Sequence, residues 1–287
     1  MKGIVLAAGK GTRLYPITKP VCKPLLPIYD KPMIYYPISV LLMAGITEIL
    51  VIVPPGDKDV FERLLGTGSK FGAKISYKEQ MVQRGIADAF ILGKDFIGDD
   101  SVCLALGDNI FYGETLHQCL MAAREIKTGA VIFGYYVDDP RAFGVVEFDE
   151  NGKAISIEEK PKNPKSNYIV PGLYFYDNKV VDIAANLKPS ARGELEITDV
   201  NNTYLSQGEL NVVTLGEDFT WFDSGTANGL VDAGVAIRNI QNKTGKQVAC
   251  LEEIAYEQGN ITYEELQKTG EELSMTNYGQ YLLNIKK

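Results

Sequence analysis

Apolar runs and amphipathic runs alternate along the first half of the chain, and this pattern predicts most of its elements. Residues 2–8 (KGIVLAA) read as a buried strand, 32–44 as a helix, 48–53 as a strand and 57–65 as a helix. The series continues with a short strand at 74–77, a helix at 86–94, a strand at 102–106, a helix at 115–126 and a strand at 130–136. Unbroken apolar runs such as VCLAL and AVIFGYY suit strands covered on both faces. Such β-α alternation predicts an α/β fold with a Rossmann-like, mostly parallel mixed sheet flanked by helices.

After Pro140 the pattern changes. Strands are expected at 145–148, 154–158 and 168–176 with few helices between them, and Asp149-Glu150-Asn151-Gly152 suits a hairpin turn. A smaller, more antiparallel lobe is therefore expected to begin here. Helices follow at 179–186 and 194–206. Ala227, Leu230, Gly234, Ile237 and Gln241 then fall on one side of a long helix, and the last 40 or so residues read as acidic helices packed on the outside.

A chain of 287 residues with 45% hydrophobic and 23% charged side chains fits about two domains or one large α/β unit. Met1-Lys2 leads straight into a strand rather than a leader, and the longest apolar stretch (38–53) is broken by Ser39, Thr47 and Glu48. It falls short of the ~20 residues that span a bilayer. Cys22, Cys103, Cys119 and Cys250 lie far apart, which argues against a zinc site or disulfide scaffold and suits a reducing compartment. The expectation is a cytoplasmic protein with no membrane partner. His117 and Cys119 are the one pair resembling metal ligands; they lack further partners and read as a helix surface.

Charge changes the picture more than composition does. The net charge of −8 disfavours nucleic acid as a partner. Yet residues 1–31 carry Lys2, Lys10, Arg13, Lys19, Lys23 and Lys31 against Asp30 alone. A basic patch on an acidic protein points to an anionic ligand held at one place.

Candidate chemistry collects where strands end, because open parallel sheets bind ligands outside the carboxyl ends of their strands. GIVLAAGKGTRLYP (3–16) runs from a strand into a glycine-rich turn, but it fits neither common phosphate loop. Gly3 lies one residue too far from Gly9 for a Walker motif, and Leu14 stands where a dinucleotide fingerprint has its third glycine. Gly9 and Gly11 allow backbone N–H groups to approach phosphate oxygens, and Arg13 can pair with them bidentately. Asp108, just after a strand, is placed either to hold Mg²⁺ or to cap the next turn, and Asp223 either to join it or to cap a helix. Of Glu158 and Glu159, adjacent in a strand, one at most can face a site.

Taken in order, LAAGKGTRL…CKPLLP, LGDNIFYG, FGVVEFD, EEKP, KSNYIVPGLYFYD, LKPSARGELEITDVN and WFDSGT resemble the motif set of the sugar-phosphate nucleotidyltransferases, and within them the glucose-1-phosphate thymidylyltransferase branch. The resemblance covers about residues 1–230. It implies a nucleotidyltransferase core over 1–245, with a nucleotide-binding part at about 1–140 and a sugar-binding part at about 141–225, followed by a helical extension at 246–287. It also implies that Leu6, Ala8, Gly9, Gly11, Thr12 and Arg13 hold the triphosphate, that Lys23 meets the reacting phosphates, and that Gln80 and Gly85 read the base. Asp108 and Asp223 would ligate Mg²⁺. Asn109, Gly144, Glu159, Lys160 and Val170 would line the sugar-phosphate pocket. Two departures stand out: Ala8 where relatives often have Gly, and Asp88 in GIADA where they often have Gln.

The implied reaction joins dTTP and glucose 1-phosphate into dTDP-glucose and pyrophosphate, as the first step of dTDP-rhamnose-type deoxysugar synthesis. Its nucleophile is a phosphate oxygen already ionised at pH 7, so a chain with one histidine suffices. The alternatives are a UTP-dependent enzyme of the same kind, since one methyl group separates thymine from uracil, and a non-catalytic sugar-nucleotide-binding regulatory subunit. The family also implies a homo-oligomer, a tetramer above all, and in several members a second, inhibitory nucleotide site near the C-terminal helices.

Overall fold

The computed structural model describes residues 1–287. In chain order the elements are β1 (Lys2–Leu6), β2 (Pro27–Ile28), β3 (Lys31–Pro32), α1 (Tyr35–Met43), β4 (Glu48–Val53), α2 (Lys58–Leu65), β5 (Lys74–Glu79), α3 (Asp88–Leu92), α4 (Lys94–Ile97), β6 (Val102–Leu106), β7 (Asn109–Gly113) and α5 (Leu116–Arg124). The second half adds β8 (Ala130–Tyr136), β9 (Gly144–Phe148), β10 (Ala154–Glu159), β11 (Tyr168–Ile169), β12 (Leu173–Tyr176), α6 (Val180–Asn186), α7 (Ile197–Ser206), β13 (Leu210–Thr214), β14 (Phe219–Asp223) and α8 (Ala227–Thr244). Helices α9 (Leu251–Glu257), α10 (Tyr263–Glu272) and α11 (Asn277–Asn284) close the chain.

Most strands join one ten-stranded sheet in the order β10-β9-β11-β8-β12-β6-β1-β4-β5, with β13 alongside β8. Its β6-β1-β4-β5 half is parallel, as the helical crossovers require. Strand β12 runs antiparallel between β6 and β8 and links the two halves. The antiparallel strands expected after Pro140 do form, but they extend the central sheet rather than standing apart from it. The long strand expected over 168–176 is cut in two, because Pro171 lacks an N–H to donate to a ladder.

Alternation along the strands divides the core. In β1, Val5 faces the layer built with Ile38 and Leu41 of α1 and Leu120 of α5, whereas Ile4 faces Phe90 of α3, Ile97 of α4 and Tyr204 of α7. Phe90 is fully buried and meets the Tyr176 ring edge-on at 5.4 Å.

Two further layers bear on the site. Strands β7 and β14, neither of which the apolar pattern predicts, pair antiparallel and set Asp223 opposite Asn109. Lys31, nearly buried, contacts Asp30 at 2.6 Å, Gln241 at 3.3 Å and Gln247 at 3.2 Å, and so fastens the β2–β3 hairpin to α8 and to the segment entering α9.

Replacing Phe90 with Ala should lower unfolding free energy by about 3–5 kcal/mol, the usual effect of emptying a buried aromatic site. Urea denaturation of the variant against the parent measures this; a loss under about 1 kcal/mol would mean that the helical layer repacks.

Candidate active site

The site lies where β1 and β6 end. Gly107 N donates to Leu6 O at 2.9 Å, and the chain then turns outward with Asp108 at the tip. Beyond β1, Gly9 to Arg13 form an exposed loop whose turn depends on Gly11 at φ +60°, a left-handed conformation that a side chain would strain. The Thr18 hydroxyl donates to Gly11 O at 2.7 Å and holds that turn. Ala8 is buried, and its carbonyl accepts from Gln83 Nε2.

Lys23 is the fixed charge around which the acidic groups gather. It is only 6% exposed, and its Nζ lies 2.6 Å from Asp108 Oδ2 and 3.8 Å from Asp223 Oδ1. The register of β14 on β7 makes this possible, because it sets Asp223 beside the end of the Asp108 turn. Arg13 approaches the same place from the loop. At Gly225 a Cβ would stand 2.7 Å from Arg13 Nη2 and 2.9 Å from Asp223 Oδ2, so the absence of a side chain there gives both groups room.

The capping alternatives fall away. Helix α8 is capped by Thr226, whose Oγ1 accepts from Gly229 N at 3.0 Å, so Asp223 is not its cap. The Asp108 carboxylate bonds to Lys23 and to Asn109 Nδ2 (2.9 Å) rather than to a helix start.

Burial, and then the neighbouring Asp108, push the Asp223 carboxyl above its ordinary range, while Lys23 and Arg13 act against the shift. Two carboxylates brought together in this way favour a cation between them. Their donors are hard oxygens, and no third His, Cys, Asp or Glu joins them. That set fits Mg²⁺, which takes one or two carboxylates and completes its shell with phosphate oxygens and water; it does not fit zinc. The buried Ser224 hydroxyl, next in sequence to Asp223, has no partner in the chain.

A cavity of about 470 Å³ opens from this cluster and brings together Arg13, Asp108, Asn109, Gly144, Glu159, Lys160, Val170 and Asp223. Glu159 Oε2 accepts from the Thr198 hydroxyl at 2.6 Å. Its other oxygen lies 3.4 Å from both Lys160 Nζ and Arg192 Nη2. Glu158 is exposed, as strand alternation requires. Lys160 sits at φ +46°, a conformation non-glycine residues rarely hold, stabilised here by its N–H donating to Phe143 O at 2.9 Å. Gln80 and Gly85 stand apart from this cavity. Gln80 follows β5 in a separate recess with Arg84 and Asp88, and Ile86 alone of that segment reaches the main cavity.

Among the cavity residues that the sequence did not single out are Trp221, Tyr174 and Thr198. Trp221 Nε1 donates to Asn109 Oδ1 at 2.6 Å, and Gly172 N donates to the same oxygen at 3.0 Å. Asn109 must therefore turn its Nδ2 toward Asp108. A signal was available for Trp221, since strand alternation places it on the same face as Asp223, two residues on. Arg192 likewise needed the fold, because its partners Glu159 and Glu196 lie on different elements.

A glycine-turned loop carrying Arg13, a lysine and two carboxylates thus meet at the carboxyl edge of a parallel sheet, next to a pocket with its own Glu-Lys pair, an arrangement suited to a transferase acting on phosphorylated substrates. Residues 2–240 match the family described as nucleotidyl transferase, and the chain belongs to it. It is 55% identical over 285 residues to the glucose-1-phosphate thymidylyltransferase of Neisseria gonorrhoeae, covering 99% of each chain. Against the enzyme of that name from Mycolicibacterium smegmatis the identity is 54%, with the same coverage. Among solved structures, a Bacillus anthracis protein assigned as a glucose-1-phosphate thymidylyltransferase, in complex with sucrose, superposes with a TM-score of 0.78 at 44% identity, over 83% of this chain and 96% of that one. A UDP-glucose pyrophosphorylase bound to UDP-glucose shares the fold, with a TM-score of 0.73 at 24% identity, over 83% of this chain and 98% of that one.

His117 lies outside this arrangement. Its Nδ1 is 3.0 Å from Met43 O on an exposed helix, and no metal-ligating group forms around it and Cys119. His117→Ala should leave turnover within about twofold of the parent in a steady-state assay. A loss of several orders of magnitude, the scale on which removal of a catalytic acid or base acts, would reveal a proton-transfer step.

Proposed function

We propose that the chain transfers a thymidylyl group from dTTP to glucose 1-phosphate, giving dTDP-glucose and pyrophosphate. The observation that carries this reading is Lys23 bridging Asp108 and Asp223 at the mouth of a pocket with Glu159 and Lys160 on its wall. The relatives named for this activity support the choice of substrates.

The two substrates are both anions, and the task is to bring them together in line. The loop from Gly9 to Arg13 would hold the triphosphate, with Leu6 and Ala8 beneath it. The sugar would sit among Asn109, Gly144, Glu159 and Val170. Glu159 accepts from glucose hydroxyls, while Lys160 faces the sugar phosphate. The attacking oxygen is already ionised, so no base is needed: a bond from it to the α-phosphorus forms as the bond to the pyrophosphate oxygen breaks. Lys23 and Arg13 offset the charge gathering at the α-phosphate, in a site where such contacts are fixed beforehand. Asp108 and Asp223 would hold Mg²⁺, which supplies further neutralisation of the phosphate charge when bound.

The same reading includes a place at the start of dTDP-rhamnose-type deoxysugar synthesis, a cytoplasmic location and a homotetrameric assembly. The second, inhibitory nucleotide site would fit a smaller cavity between Tyr112 and the 246–254 segment, where Lys246 offers a cation. No helix is long and apolar enough to cross a membrane.

Asp108→Asn and Asp223→Asn should each lower turnover by two or more orders of magnitude, the scale on which a lost transition-state contact acts, while circular dichroism stays native. Near-parental rates in both variants would remove the metal assignment. Pyrophosphate release from four nucleotides against several sugar 1-phosphates tests the substrates. The expected best pair is dTTP with glucose 1-phosphate. Preference for UTP would move the chain to the uridylyl reading, and no release with any pair would leave a binding subunit.

A further inference from the structure

Asp88 is 1% exposed, and both of its carboxylate oxygens are occupied. Oδ2 accepts from Gln80 Nε2 at 2.9 Å, and Oδ1 accepts from Arg84 Nη2 at 2.7 Å. Gln80, the residue after β5, is 4% exposed. The recess they share is edged by Met81 and Val82, which are 70% and 65% exposed and rest on no core. Gly85, at φ +101°, closes over Leu195, whose carbonyl would stand 2.5 Å from a Cβ there, and its N–H donates to no group of the chain. Apolar lips and a half-used amide leave the recess open to a planar ligand with hydrogen-bonding edges.

A primary amide can present either its oxygen or its nitrogen, and only its partners decide which. A carboxylate accepts and does not donate. Were the Gln80 amide reversed, Oε1 would face Asp88 Oδ2, and a buried carboxylate oxygen would lose its donor, which is costly. We propose that Asp88 is a specificity-positioning residue: it fixes the Gln80 amide so that Oε1 and the second Nε2 proton present one invariant acceptor-donor edge to the base. That edge matches the N3–H and O4 of a 2,4-dioxopyrimidine. It mismatches a 4-aminopyrimidine, whose N3 accepts and whose N4 donates. The proposal rests on the reading of Gln80 as the residue that meets the base. It selects thymine and uracil over cytosine and is indifferent to the 5-methyl group.

The test compares kcat/KM for dTTP and dCTP, each with glucose 1-phosphate, in the full-length enzyme and three variants. Asp88→Leu keeps bulk and burial but frees the amide, and should lower the dTTP:dCTP ratio by at least ~10-fold, mainly through KM. Asp88→Asn keeps the shape but offers one acceptor to two donors and can turn either end of its amide to Gln80, so it should recover only part of what Asp88→Leu loses. Gln80→Ala should lower the ratio whatever stands at 88. The ratio is internal to each preparation, so partial unfolding, followed by thermal melting, does not change its meaning. An unchanged ratio in Asp88→Leu with a collapsed ratio in Gln80→Ala overturns the positioning role alone. An unchanged ratio in Gln80→Ala overturns the base-reading assignment, and the role of Asp88 with it.

Discussion

The contact on which the rest of the site depends is the one between Lys23 and the paired carboxylates of Asp108 and Asp223. A nearly buried ammonium without partners would be costly, and so would two facing carboxylates. Each half resolves the difficulty of the other. The chain builds the contact from three distant segments: the turn after the Gly9–Arg13 loop, the end of β6, and the end of β14. Strands β7 and β14 lend Phe111 and Phe219 to the main core, and their pairing also sets Asp223 beside Asp108. Burial and the neighbouring Asp108 still push the Asp223 carboxyl upward, against the opposing pull of Lys23 and Arg13.

Support for this contact extends outward through directional bonds. Asn109 illustrates the point. Its oxygen is taken by Trp221 and by Gly172, so its nitrogen is committed to Asp108. An amide placed in this way aims a carboxylate more than it meets a ligand. Trp221 in turn packs against Phe143, which also lines the pocket, and against Tyr135. Aromatic packing on the pocket wall thus helps hold the charged cluster in place.

Much of the fold was legible because its signals are local. β4, β6 and β8 appear at the boundaries their apolar runs indicate, since strands buried on both faces need unbroken runs. β7 and β13 were not legible: NIFYG follows β6 after one turn, and LNVVT is short and partly exposed, so each depends on a partner strand remote in sequence. The continuity of the sheet was hidden for the same reason, because it rests on β12 inserting antiparallel between β6 and β8. At the site, charged residues next to strand ends were readable one by one. Their mutual distances were not, and neither was the contact of Arg192 with Glu159, which becomes visible only when β10 is in place.

The position of Asp88 shows why a departure from a family pattern need not weaken a site. Read along the sequence, an acid in place of Gln exchanges a donor for an acceptor and puts recognition in question. In the fold, the side chain faces two donors, Gln80 and Arg84, and an acceptor is what the place requires. A Gln at 88 could face Gln80 with either end of its own amide, leaving two amides free to turn together. The carboxylate removes that freedom, because neither of its oxygens can donate. Where sequence comparison counts a substitution as a loss, the hydrogen-bond inventory counts it as a gain in definition, and the direction of the Gln80 amide follows from it.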